Sequence, residues 1–151
     1  MRMILQSRVL ISAGLLTLVF AGVRNSAAAA APELKLEKGD HVCYIGNTLA
    51  DRMQHHGWLE TYLHAAYPGH ELVFRNLGFS GDTLKTRTRS NNFGSQDQWL
   101  SKEKADVVFC FFGYGEALGG PGGVGGFEKD LGGMIDSLHE KKFNGKSAPR
   151  L

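Results

Sequence analysis

Cysteine is scarce, charge is nearly balanced, and no apolar run is long enough to cross a membrane. Only Cys43 and Cys110 occur in 151 residues, with no Cys-x-x-Cys pair. That excludes a cysteine-built zinc site and a thioredoxin-like redox centre. The run "VLISAGLLTLVFAGV" (9–23) falls short of the ~20 apolar residues a spanning helix needs. Of six histidines, none lies three or four residues from another. His55 and His56 are adjacent, ~100° apart on a helix, so they diverge rather than share a metal. No internal repeat is present.

What the first residues contain explains the small charge excess. Arg2 and Arg8 precede the apolar run, and "RNSAAAAAPE" supplies small residues after it. Basic, apolar, then small is the order of a secretory leader. We expect a cleaved leader over 1–28 and a linker over 29–39. The product would be exported, periplasmic or extracellular, with no membrane attachment after cleavage. The formal charge of +2 includes Arg2, Arg8 and Arg24; without them 14 basic residues face 15 acidic ones. Nothing global then points to nucleic acid.

Beyond the linker the pattern alternates. "HVCYIG" (41–46) and "ELVFRNLG" (71–78) read as strands ending at glycine. "DVVFCFFG" (106–113) is apolar throughout, which suits a parallel sheet covered on both faces. Leu49, Met53, Leu59, Leu63 and Ala66 sit at roughly helical spacing, predicting one helix from 49 to 67, closed by Pro68-Gly69. "QDQWLSKEK" (96–104) reads as a short helix. In "GYGEALGGPGGVGG" (113–126) eight of fourteen residues are Gly, which predicts a mobile loop. A helix follows over 127–142, although Gly132 and Gly133 each cost it up to ~1 kcal/mol. This β-α-β-α-β-α order is that of an α/β fold. The chain is expected to stop before a fourth strand.

Ligands gather at the carboxyl ends of strands in open α/β sheets. Three polar segments fall there: Asn47-Thr48, Ser80-Gly81-Asp82-Thr83, and Tyr114-Gly115-Glu116. Thr48 itself permits two readings. Thr48-Leu49-Ala50-Asp51 fits a Thr-x-x-acid cap, worth ~1 kcal/mol to a helix start. A Thr hydroxyl can also attack a carbonyl when a base activates it.

"IGNTLADRM", "NLGFSGDT" and "FFGYGE", in that order, resemble the first three blocks of the SGNH, or GDSL-type, hydrolases. The likeness covers about residues 40–151. It implies a three-layer α/β/α sandwich, a flavodoxin-like parallel sheet of strand order 2-1-3. It implies hydrolysis of small-molecule or carbohydrate esters, with no metal or organic cofactor. Thr48 stands at the nucleophile's place, where the family has Ser. Gly81 matches the glycine whose N–H binds the oxyanion, and Asn47, Ser80, Asp82, Tyr114, Gly115 and Glu116 would line the cleft. Two features depart from the family. Gly115 replaces the Asn that donates to the oxyanion, a loss of roughly 3 kcal/mol. The family's late Asp-x-x-His base is missing. Asp136-Ser137-Leu138-His139 has the right letters. But twelve residues at ~1.5 Å each put His139 ~18 Å along the last helix from Phe127, beyond the reach of a base. We therefore expect no significant esterase activity from this chain. The alternative is a binding module of the same fold, holding a carbohydrate or acyl ligand, at the front of a larger exported protein.

Other motifs are weaker. "GYGEAL" lacks the third Gly of a dinucleotide fingerprint, and "NGKS" (144–147) lacks the first Gly of a phosphate loop. Lys85, Arg87 and Arg89 either form a solvated loop or meet an anionic group. Asp82 could equally be a turn former. Cys43 and Cys110 each lie three residues before the Gly that ends their run, Gly46 and Gly113, so if strands one and three are neighbours, as the resemblance implies, they should be level on one face. A disulfide there would be strained, so free buried thiols are expected.

Overall fold

Three short strands form the frame. In a computed structural model that describes residues 35–151, β1 (His41–Gly46), β2 (Val73–Asn76) and β3 (Val107–Phe111) pair in parallel. Their order is β2-β1-β3, as the resemblance implied. β1 and β3 are apolar, and β2 is half polar. The expected leader lies outside the described residues. Leu36, within the stretch expected as linker, is buried in the core.

Alternation along β1 divides the core. Val42 and Tyr44 join Val107 and Leu72 on one face, with Leu59 and Leu63 packed against them. Cys43 and Ile45 join Val108, Leu100 and Leu138 on the other. The central strand is buried on both sides, so its sequence is a continuous apolar run rather than an alternating one.

The helical segments depart from expectation in two places. The helix expected from 49 to 67 is two, α1 (Thr48–Met53) and α2 (Trp58–Ala66). Gly57 separates them with φ of 60°, a left-handed conformation that suits glycine and ends a right-handed helix. The second departure is the glycine-rich segment. Beyond α3 (Gln96–Lys102) and β3, it folds into α4 (Tyr114–Ala117), then a 3₁₀ turn at Pro121–Gly123, where Pro occupies a first-turn position, and then enters α5 (Val124–His139). So α5 begins three residues before Phe127, and the expected mobile loop is largely helical turn. Pro at a helix start leaves no hydrogen bond unmade, and α5 recovers the glycine cost by burying Leu138 and packing Met134 on the core.

The last residues do more than leave α5. Arg150 pairs in parallel beside Val107. Val108 N–H donates to Arg150 O at 2.8 Å, and Arg150 N–H to Asp106 O at 2.9 Å. Among the described residues the sheet has three strands, and this isolated bridge is all that follows α5 along its β3 edge. The Arg150 side chain fastens it, donating to Lys35 O at 2.6 Å and to the Asp40 carboxylate.

Cys43 and Cys110 share a face, but they are not level. Cys43 stands opposite Val108, and Cys110 opposite Ile45. The two run-ending glycines are not opposite each other: Gly46 pairs with Phe111, two residues short of Gly113. Both thiols are free. Burial pushes the Cys43 thiol up to about 12 and the Cys110 thiol up to about 11. A thiolate-selective disulfide reagent at pH 8 is therefore expected to modify neither thiol in the folded chain within minutes, and both in urea. Mass spectrometry of the quenched reaction checks this. Fast modification of Cys43 without denaturant would mean that β1 is not protected.

Candidate functional site

Each strand delivers its following turn to the same edge of the sheet, and backbone bonds tie the turns together. Asn47 N–H donates to Phe111 O at 3.0 Å, joining the first turn to the end of β3. Phe79 N–H donates to Gly46 O at 3.0 Å, joining the second turn to the first. Glu116 closes the ring: its carboxylate accepts from Leu84 N–H at 2.7 Å and from Gly113 N–H at 3.0 Å. The three segments singled out from the sequence therefore meet around one patch.

Thr48 occupies the first turn of α1 and is half-buried, but it is not the cap. Asn47 caps the helix, its Oδ1 accepting from Leu49 N–H at 3.4 Å. The Thr-x-x-Asp reading is corrected by one position. Asp51 is drawn away by tertiary contact: Ser80 donates its hydroxyl to Asp51 and its N–H to the same oxygen at 3.2 Å. The Ser80 hydroxyl bond holds the Asp51 carboxyl below its ordinary range, against a smaller opposing effect of burial. Asn47 is 4% exposed, and its Nδ2 has no partner among the described residues.

The second turn is held from inside. Asp82 is 2% exposed and receives both Arg89 guanidinium nitrogens, Nη1 on Oδ1 at 2.7 Å and Nη2 on Oδ2 at 2.9 Å. Arg87 approaches the same carboxylate at 3.9 Å, stacks over Phe112, and donates from Nε to Gln96 at 2.9 Å. The reading of these arginines as a solvated loop is corrected for both. They are bound inward because Asp82 would otherwise be a buried charge without a partner. Lys85 reaches Asp130 at 2.8 Å on the exposed side. Gly81 has φ of 91° and sits exposed at the tip of the turn, where only glycine is unstrained.

In the third turn Tyr114 is 71% exposed and takes no part in the cluster. Gly115 does: a Cβ built there would lie 3.2 Å from Thr83 Cγ2. A longer side chain at 115 would have to displace Thr83, so the second and third turns pack closest where the family's Asn would project. Asp51 and the double role of Glu116 were not legible in the sequence. Their partners Ser80 and Leu84 lie 29 and 32 residues away, and no spacing rule reaches that far.

The histidines are placed elsewhere. His41 meets Glu103 O at 2.6 Å at the start of β1. His64 packs on Phe74 and His70 on Tyr67. His139 closes α5, as its spacing from Phe127 required, and His55 and His56 are exposed in the turn after α1. Among the described residues no group of three His, Cys, Asp or Glu could hold a metal. No helix among them is long and apolar enough to cross a membrane. No protein-family model matches the chain, and neither a curated protein nor a solved structure was found to match it.

Proposed function

We propose that residues 40–151 form an SGNH-type, ester-hydrolase-like domain with a flavodoxin-like, three-layer arrangement, exported behind its leader. One observation carries this reading: the turns after β1, β2 and β3 are hydrogen-bonded into a single patch at one sheet edge. In that reading Thr48 stands where the nucleophile would be and Gly81 N–H where the oxyanion would bind.

Turnover is not expected from the described residues. Attack by a hydroxyl needs a base within ~3 Å or one water, and each histidine is engaged elsewhere, exposed beyond α1, or exposed at the end of α5. We expect 4-nitrophenyl acetate hydrolysis by the chain to equal that of Thr48→Ala. A fluorophosphonate probe should label both to the same background. Labelling of Thr48 that the Ala variant abolishes would establish attack chemistry and overturn the inactive reading.

A second reading, binding without hydrolysis, is favoured by how the polar groups are used. Asp51 and Glu116 are spent on holding the turns to one another, and Asp82 on holding the second turn to its own arginines, which suits a rigid cleft better than a proton relay. Titration with an O-acetylated oligosaccharide, followed at the Gly81 amide by NMR, tests it. An equal response to the deacetylated sugar would remove the acyl group from the proposal.

A further inference from the structure

A cavity of about 350 Å³ lies beside the second turn, between the segment after β2 and the start of α3. That volume is at the small end of ligand pockets. Its walls are mostly flat and apolar: Leu77, Phe79, Phe93 and Trp99, with Arg87 and Arg89 among them. Phe79 and Phe93 are each 45% exposed, so two aromatic rings face solvent where burial would be favourable. The Arg89 guanidinium lies 4.3 Å from the Phe79 ring centre and 5.6 Å from that of Phe93. Phe93 and Trp99 rings are 5.3 Å apart and tilted by 36°. Trp99 is fixed by its indole N–H, which donates to Phe93 O at 2.9 Å.

Charge in the wall is unbalanced. Arg89 gives both terminal nitrogens to Asp82, so that pair is neutral. Arg87 is left with Gln96, a 3.4 Å contact to Thr86 O, and a distant share of Asp82. Glu116 makes no hydrogen bond to it, both oxygens being taken by backbone N–H groups, and acts on Arg87 only through its charge. Burial lowers the pKa of Arg87, Asp82 opposing, so its charge is held at a cost that an anion would relieve.

We propose that this cavity binds an aromatic carboxylate, its ring lying among Phe79, Phe93 and Trp99 and its carboxylate against Arg87. The charged residues lining the cavity are Arg87 and Arg89, with no carboxylate in the lining, which suits an anion, and a guanidinium receives a carboxylate through two parallel N–H bonds. Flat rings stack on aromatic and guanidinium faces. This site depends neither on Thr48 nor on the ester reading, and either can fail without the other.

The probes are 2-naphthoate and its neutral counterpart 2-naphthylmethanol, titrated into the full chain by calorimetry and by ¹⁵N NMR of the indole N–H groups. There are two tryptophans, and Trp58→Phe assigns the signals. The Trp99 signal should move saturably with naphthoate while Trp58 stays still. The alcohol and the Arg87→Gln variant should each bind about tenfold or more weakly, because one charge-assisted contact is lost. Equal affinity for acid and alcohol, a shift only at Trp58, or no saturable binding overturns the proposal. Should Arg87→Gln lose its fold by circular dichroism, the acid–alcohol comparison on the wild-type chain decides alone.

Discussion

Gly46→Ala is expected to abolish or nearly abolish folding. Gly46 ends β1 with φ of 140°, and a Cβ there would stand 2.2 Å from Phe111 O. The obstacle is backbone of the adjacent strand, which cannot swing aside. Overpacking costs about 1–3 kcal/mol and a disfavoured backbone region about 1–3 more. Together they approach the ~5–15 kcal/mol that holds a domain folded. Gly39→Ala is the control, since Gly39 has φ of 84° but nothing within 4 Å of its added Cβ. It should lose only the conformational part, about 1 kcal/mol. Urea unfolding of both variants separates sterics from backbone preference. Similar midpoints for the two would mean that β1 and β3 do not approach as closely as 2.2 Å implies.

Asp82→Asn should be nearly as damaging, for an electrostatic reason. The substitution keeps the shape but removes the charge that both arginines face. A buried pair broken on one side costs about 3–5 kcal/mol, because the remaining charge is left uncompensated. Arg89→Gln should cost a comparable amount, and the double variant much less than the sum. Urea midpoints of the four proteins give the coupling directly. A loss under about 1 kcal/mol in Asp82→Asn would show that the segment from Phe79 to Ser95 is held by its aromatic contacts instead.

Some of this architecture can be read along the chain. The runs 41–46 and 106–113 are continuous and apolar because both faces of their strands are covered, and burial of that kind is written locally. The break at Gly57 could not be read that way. Leu49, Met53, Leu59 and Leu63 keep a helical spacing across it, and Met53, Leu59 and Leu63 pack on the core from both helices while Leu49 is exposed, so the period survives while the axis changes. Capping was misplaced for a similar reason. Asn47 and Thr48 are both good caps, and the choice fell to Asn47 when Ser80, 29 residues on, took Asp51.

By itself, then, the sequence determined the alternation of strands and helices, the core faces of β1 and β3, and the three polar turns that follow the strands. Apolar patterning and glycine act over a few residues, so they are visible in a linear text. Only the tertiary structure decided that β1 and β3 pair two residues out of the register the glycines suggest. It alone turned Arg87 and Arg89 inward onto Asp82 and gave Glu116 two amides from different turns. Those outcomes follow from which charges and amides would otherwise be buried without partners, and that is settled by distance in space rather than by position along the chain.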